Sequence, residues 1–474
     1  MVLAVVIAPL AAAALALLLP SDHLRPLVLP VLGAAHLGLV VVALGRRSAA
    51  PEGWIGLDAL GGLTLALVSV LFLLCSLYAP SYLRLRRDRP NRVFCACVAL
   101  FLGMVSLLSV AQHLGLMWVA VEATTLATAP LIYFNRNQLS IEATWKYLLV
   151  GSVGIAIALL GSFFLSYAAY LGAHDPSLLF GDLVRHASGL SRPWLRSAFV
   201  FLLVGYGTKL GLAPLHTWKP DAYGEAPGMV GALLAGGATS AAFLALLRVY
   251  RIVNLGGEGD FARRLLVWMG LFSMLWVAVF MARQRDVKRM LAYSSVEQMG
   301  ILLLGIGVGG TFGSLLHMLN TGLIKGVMFL AAGNIHRAFG SKRVRDISGA
   351  MRRLPLSGTL FLVGLFAVTG SPPFGTFVSQ FAILRATVAD GRFVVAGLFL
   401  LLLAAVFLGM GSTVLAVSQG EPPARALRTP YRDDLAKTAP LLGGLALVLV
   451  LGLWLPGPLE RLLREAATAL EVGP

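Results

Sequence analysis

The sequence of 474 residues predicts an all-α integral membrane fold of about fourteen helices, and three observations carry that expectation. The chain is 58% hydrophobic and only 13% charged, with a mean hydropathy of +0.83, which is too apolar for a soluble globular chain of this length. Apolar runs of about 18 residues or more recur from end to end, each long enough to cross a hydrocarbon core of about 30 Å as a helix. None alternates with the period of a barrel strand, so helices must satisfy the backbone inside lipid.

The first seven spans are expected at residues 2–19, 26–44, 60–82, 93–110, 114–134, 147–171 and 194–218. Seven more follow at 228–250, 265–282, 290–308, 311–335, 357–384, 393–417 and 439–455. The first run has no basic leader and feeds a second apolar run, so it reads as a span, not a cleaved signal. Cys75, Cys95 and Cys97 lie in or beside apolar runs. A lone Cys-x-Cys without further Cys or His nearby is a poor metal site, so they read as packing residues.

A net charge of +16 suggests nucleic acid or anionic lipid until the basic residues are placed along the chain. They fall in alternate loops: Arg84, Arg86, Arg87, Arg89 and Arg92 after the third span, then Arg283, Arg285, Lys288 and Arg289 after the ninth. Arg337, Lys342, Arg343, Arg345, Arg352 and Arg353 follow the eleventh, and Arg425, Arg428, Arg432 and Lys437 the thirteenth. Loops after even spans are short and uncharged or mix signs, as with Asp175, Asp182 and Arg185. The positive-inside rule then puts the odd loops in the cytoplasm and both termini outside, and no nucleic-acid partner is needed to explain the charge.

The seventh span is interrupted at Gly211 and Pro214, and the twelfth at Gly370, Pro372, Pro373 and Gly375. Proline removes a backbone donor, and a broken helix at membrane depth is tolerated only where protein or a wet cavity satisfies the freed groups. The breaks lie five spans apart, an odd spacing that places equivalent elements in opposite orientation. Two inverted five-helix repeats are therefore expected, spans 4–8 over residues 93–251 and spans 9–13 over 261–417. Residues 1–92 hold the first three spans, and 437–474 the fourteenth and a tail.

Ionisable residues inside these runs are the candidates for chemistry. Glu122 lies near the middle of the fifth span, in MWVAVEATTLATAPLIYF, where an ionised carboxylate costs at least about 2.5 kcal/mol even on insertion scales. It is either a protonated helix-to-helix hydrogen bond or the partner of a buried cation. Lys209, five residues before Pro214 in the seventh span, is that cation unless it snorkels to an interface. Burial disfavours a charged lysine and a nearby carboxylate restores it, so motion of Glu122 relative to Lys209 would load or release a proton.

Lys325 sits in the eleventh span with His317 eight residues earlier, on nearly the same helix face. Water could bridge the two as relay stations about 12 Å apart; a hydrogen-bonded packing histidine is the alternative. Glu142 and Lys146 have the spacing of a helical ion pair at the start of the sixth span, where they serve proton uptake or interfacial anchoring. His216, Asp221 and Glu225 form a dense polar run after the seventh span, either an uptake site or a capping turn. There is no Walker loop, dinucleotide fingerprint, cysteine cluster or haem-attachment motif, so no cofactor, metal or catalytic centre is expected and the driving force must come from a gradient or from partner subunits.

Three long stretches, PLHTWKPDAYGEAP, RDVKRMLAYSSVEQMG and HMLNTGLIKGVMFLAAG, carry a resemblance. The chain resembles the antiporter-like, proton-translocating membrane subunits of respiratory complex I, of multisubunit cation/proton antiporters and of group-4 membrane-bound hydrogenases, over roughly spans three to thirteen. The stretch WVAVEATTLATAPLIYFNRNQLSIEATWKYLLVGS is most similar to the F component of hydrogenase-4 and formate hydrogenlyase complexes. The resemblance implies that Glu122 and Lys209 are the coupled pair of the first half-channel and Lys325 the central lysine. It also implies neighbouring membrane subunits and a peripheral redox arm, hydrogenase-like or quinone-reductase-like, in the inner (plasma) membrane of a prokaryote.

Three departures stand out. The eighth span, GGATSAAFLALLR, offers only Ser240 where the family often has lysine; Gln298 replaces a histidine; and Gln380, in FGTFVSQF, replaces an ionisable exit residue. Glutamine orients water but holds no proton, and Arg385 nearby is permanently charged. The chain also reads as ending soon after its fourteenth span, without the long lateral helix of the largest relatives. Three functions are weighed: a proton-translocating subunit of an oxidoreductase assembly, a subunit of a multisubunit Na⁺/H⁺ antiporter, or a non-pumping scaffold.

Overall fold

The computed structural model describes residues 2–48, 51–86, 88–172, 177–282 and 284–471. Arg87, Asp175 and Arg283, three of the loop charges named above, lie outside the described residues. Among the described residues all regular structure is helical, with three isolated bridges and no strand. Ten helices among the described residues are long and apolar enough to cross a membrane, and Ala4–Leu18 and Pro355–Val368 are shorter apolar helices. Each apolar run became a helix because lipid offers the backbone no other partner.

The first six are α1 (Ala4–Leu18), α2 (Val28–Gly45), α3 (Ala59–Arg84), α4 (Arg92–Val110), α5 (Leu114–Ile132) and α6 (Gln138–Leu171). Side chains cap several of their starts: the Gly61 amide donates to Asp58 at α3, and Asn137 and Ser140 form a reciprocal capping box at α6. That cap starts α6 nine residues before the apolar run, so Glu142 and Lys146 lie on its first turns. The broken seventh span is α7 (Arg192–Leu210) followed by the short α8 (Trp218–Glu225).

Residues 228–253 form α9, with a π-helical stretch at Leu233–Ala238, and α10 is Gly259–Met281. These two were expected as spans separated by a loop. They instead run almost continuously and kink at Gly257, whose φ of +79° a residue with a Cβ rarely adopts. Then come α11 (Val287–Gly307), α12 (Thr311–Phe339), α13 (Pro355–Val368), α14 (Gly375–Ala389), α15 (Phe393–Ser418) and α16 (Leu435–Leu453).

A final helix, α17 (Gly457–Glu471), lies where only a tail was expected. It buries Leu462, Leu463, Ala466 and Leu470 along one face and turns Arg464 outward to Glu460. A search for long apolar runs passes over such an amphipathic pattern.

The apolar stretch of α12 is entirely buried and those of α11 and of the α9–α10 run are 94% buried, whereas α2 and α15 bury one third of theirs. So α9, α11 and α12 form the interior of the bundle. The outer helices present Val31, Trp268, Val394 and Leu408 as a lipid-facing surface. The basic loops gather at one end: Arg86, Lys288, Arg337 and Lys342, from three of them, line a single cavity, and Arg353 bonds the carbonyls of Ala426 and Tyr431 in a fourth.

Both breaks are built alike. The helix ends on a glycine in the left-handed region, Gly211 at φ +76° and Gly370 at φ +76°, and resumes beyond a proline. A Cβ on Gly370 would also fall within 1.8 Å of the Gln380 side-chain oxygen. Gly370→Ala is expected to cost at least about 1–2 kcal/mol from the backbone alone, seen as a lower thermal unfolding midpoint in detergent.

Candidate functional site

The first group of polar side chains lies where α5, α6 and α7 meet. Lys209 sits on the last turn of α7, 4% exposed, with its ammonium donating to the Thr125 hydroxyl and to Tyr147 Oη at 3.3 Å. The Thr125 hydroxyl in turn reaches Glu122 Oε2 at 3.2 Å, and Ser152 donates to Glu122 Oε1 at 2.7 Å. No ion pair joins Glu122 to Lys209 among the described residues. Thr125, one turn beyond Glu122 on α5, stands between the two groups expected to act as a coupled pair. Glu122 is only half-buried, beside the exposed Ser152 at the outer side of the chain.

A second group lies between α11, α12 and α14. Lys325 is fully buried and donates to Ser294 Oγ at 2.6 Å and to the Leu291 carbonyl at 3.4 Å. Glu297, 2% exposed and one turn along α11 from Ser294, is the carboxylate whose charge acts on Lys325. Gln298 donates to Glu297 Oε2 and to the Val368 carbonyl, each at 3.2 Å, and accepts from Thr321 at 3.1 Å. Thr321 Oγ1 lies 3.3 Å from His317 Nε2, and His317 Nδ1 lies 2.9 Å from Ser379 Oγ on α14.

His317, Thr321 and Lys325 therefore form an i, i+4, i+8 row on α12, with Glu297 and Gln298 closing it from α11. Side chains of Ser294, Glu297, Gln298 and Thr321 lie between His317 and Lys325, and both His317 ring nitrogens have side-chain partners. Gln380, next to Ser379, is 5% exposed and packs on Gly370 at the break; its amide nitrogen has no partner among the described residues. Arg385 is exposed.

His216 lies in the turn before α8, Asp221 and Glu225 lie on α8, and the three do not converge on one site. His216 is caged edge-on by Trp276 and Tyr293, Asp221 pairs with Lys146 at 2.9 Å and with Arg289, and Glu225 pairs with Lys342. Glu142 also pairs with Lys146, which is 46% exposed. Exposed ion pairs of this kind contribute about 0–1 kcal/mol, so Lys146→Ala is expected to leave the unfolding midpoint nearly unchanged. At the basic end, Arg86, Glu225, Lys288, His336, Arg337 and Lys342 line a cavity of about 460 Å³.

Three members of these groups were missed by sequence reasoning: Glu297, Thr125 and Thr321. Glu297 had a signal, since it is a carboxylate within an apolar run like Glu122. Thr125 had none. Among the described residues no three His, Cys, Asp or Glu side chains gather as a metal site would require.

A bundle of apolar helices broken twice at a glycine, with buried lysines and a carboxylate joined by hydroxyls, defines an antiporter-like membrane subunit. The chain belongs to the family described as NADH:quinone oxidoreductase/Mrp antiporter, TM, which matches residues 111–409. It is 36% identical over 366 residues to the hydrogenase-4 component F homolog of Methylacidiphilum infernorum (isolate V4), covering 76% of this chain and 75% of that one. It is 33% identical over 384 residues to NADH-quinone oxidoreductase subunit N of Desulforudis audaxviator (strain MP104C), with 78% and 74% covered. Its fold is that of a chain in the Mrp complex from Dietzia sp. DQ12-45-1b, with a TM-score of 0.87 at 21% identity over 99% of this chain and 97% of that one.

Proposed function

We propose that this multi-pass membrane protein carries protons across the bilayer as one subunit of a redox-driven assembly of the complex I or group-4 hydrogenase type. One observation carries the reading: the second polar group, from Lys325 through Ser294, Glu297, Gln298, Thr321 and His317 to Ser379, threads the most buried helices of an otherwise apolar bundle. Ionisable groups at that depth are costly and persist where they move charge.

In this reading the basic end faces the cytoplasm, both termini lie outside, and residues 93–251 and 261–417 are two inverted half-channels, each broken at its own glycine. Glu122, Thr125 and Lys209 load the first half-channel. Lys325 and Glu297 hold the proton at the centre, and His317, Ser379 and water ordered by Gln380 release it at the far side. The other membrane subunits and a peripheral redox arm supply the driving force.

The test is pH-gradient formation by the purified complex in sealed liposomes, with and without Na⁺. Acidification driven by electron transfer, undiminished when Na⁺ is removed, is the expected result. A second reading, a subunit of a multisubunit Na⁺/H⁺ antiporter, draws on the likeness to the Mrp chain. Exchange that needs Na⁺ and no redox partner would establish that reading instead.

A further inference from the structure

Lys219 is fully buried, yet it forms no ion pair among the described residues. Its ammonium donates to one backbone oxygen, the Leu210 carbonyl, at 2.7 Å. Leu210 directly follows Lys209 and is the last residue of α7, so its carbonyl is among those the break at Gly211 leaves without a helical partner. A helix cap would need no more than that contact. Lys219, however, sits on α8, the connector between the two polar groups, and the charge that acts on it is that of Lys325.

Tyr223 is one turn further along the same helix, with its ring 5.6 Å from the Lys219 ammonium. Its hydroxyl points toward Ser295, the neighbour of Ser294, without completing a hydrogen bond, and both hydroxyls are buried without a partner among the described residues. On the other side, Trp218 anchors α8 to the Thr208 carbonyl at 2.9 Å and lies 5.0 Å, ring to ring, from Tyr147, which contacts Lys209. The opposite face of α8 carries Asp221 and Glu225 into the ion pairs and cavity at the basic end. Thus α8 turns one charged face outward and sets one amine and one phenol between the Lys209 and Lys325 groups.

We propose that Lys219, with the Tyr223 hydroxyl, is a proton-carrying station between Lys209 and Lys325. The proposal rests on the proton-translocating reading above. The Lys209 ammonium gives its proton to the neutral Lys219 amine, and the Lys219 ammonium passes it to the neutral Lys325 amine. The Tyr223 hydroxyl, unpaired among the described residues, would accept one hydrogen bond and donate another as the proton passes, staying neutral throughout. Each transfer leaves one amine and one ammonium, so no other reactant is needed.

The experiment measures pH-gradient formation by the intact complex in liposomes, at matched assembly, for Lys219→Arg, Lys219→His, Tyr223→Phe and Lys209→Ala. Arginine keeps the charge and can still donate to the Leu210 carbonyl, but it does not release its proton; histidine does. Lys219→Arg is expected to slow the gradient about tenfold or more, Lys219→His to retain a larger part of it, and Tyr223→Phe to slow it several-fold. A cap predicts the reverse order, arginine above histidine, and that order would overturn the station. Should the Lys219 variants fail to assemble, Tyr223→Phe decides: it keeps the ring and removes only the hydroxyl, and a native rate overturns the proposal. If Lys209→Ala stops pumping while the Lys219 and Tyr223 variants run at the native rate, the station fails and the broader reading stands. If all run at the native rate, both fail.

Discussion

Replacing Glu297 by glutamine is expected to stop proton translocation as completely as Lys325→Met does, lowering the rate of gradient formation about a hundredfold or more while the complex still assembles. Among the described residues Lys325 has no carboxylate in direct contact, only Ser294 and a backbone carbonyl, and Glu297 is the negative charge that acts on it in an apolar interior. In that low dielectric a charge a few ångströms away decides whether an ammonium is tolerated at all. Glutamine preserves volume and a hydrogen bond to Gln298 but supplies no charge, so Lys325 would stay neutral through the cycle. Fluorescent pH-gradient assays on Glu297→Gln, Lys325→Met and the double variant check this. The double variant should pump no worse than either single one, because the two residues act as one unit.

Thr125→Val is the second change with a large expected effect, although it removes only a hydroxyl. The Thr125 side chain is the sole side-chain link between Glu122 and Lys209 among the described residues. Valine fits the same space but leaves the Lys209 ammonium with Tyr147 alone, and an unmet buried polar contact costs about 1–3 kcal/mol. A direct Glu122–Lys209 pair would not need Thr125 and would pump normally in the valine variant. The geometry predicts instead a loss of about tenfold or more in pumping, restored by Thr125→Ser, with a modest drop in unfolding midpoint.

Lys209, Lys325 and Glu122 were legible in the sequence because a charge within an apolar run is an anomaly with a known cost. The breaks at Gly211 and Gly370 were legible for a similar reason, since glycine and proline there interrupt an otherwise regular pattern. Glu297 met the same criterion, but its neighbours Ser294, Ser295 and Gln298 make that stretch polar and soften the anomaly. Lys219 lies in a polar run where a lysine is unremarkable, and only folding shows that α8 carries it into the core. Thr125 and Thr321 are neutral, and their role depends on which helix faces meet, information absent from the linear pattern. The merging of α9 and α10 at Gly257 and the amphipathic α17 are not legible from apolar run length, because one joins two runs through a polar stretch and the other is apolar on one face only.

The central claim is that Glu122 and Lys209 belong to one working proton path. Its most direct test compares native complex with Glu122→Gln and Lys209→Ala, at matched assembly in sealed liposomes, by the pH gradient each forms. Loss of the gradient in both variants is the result predicted here. Unchanged pumping in both would contradict the path and leave the chain a scaffold, or protons moving by another route.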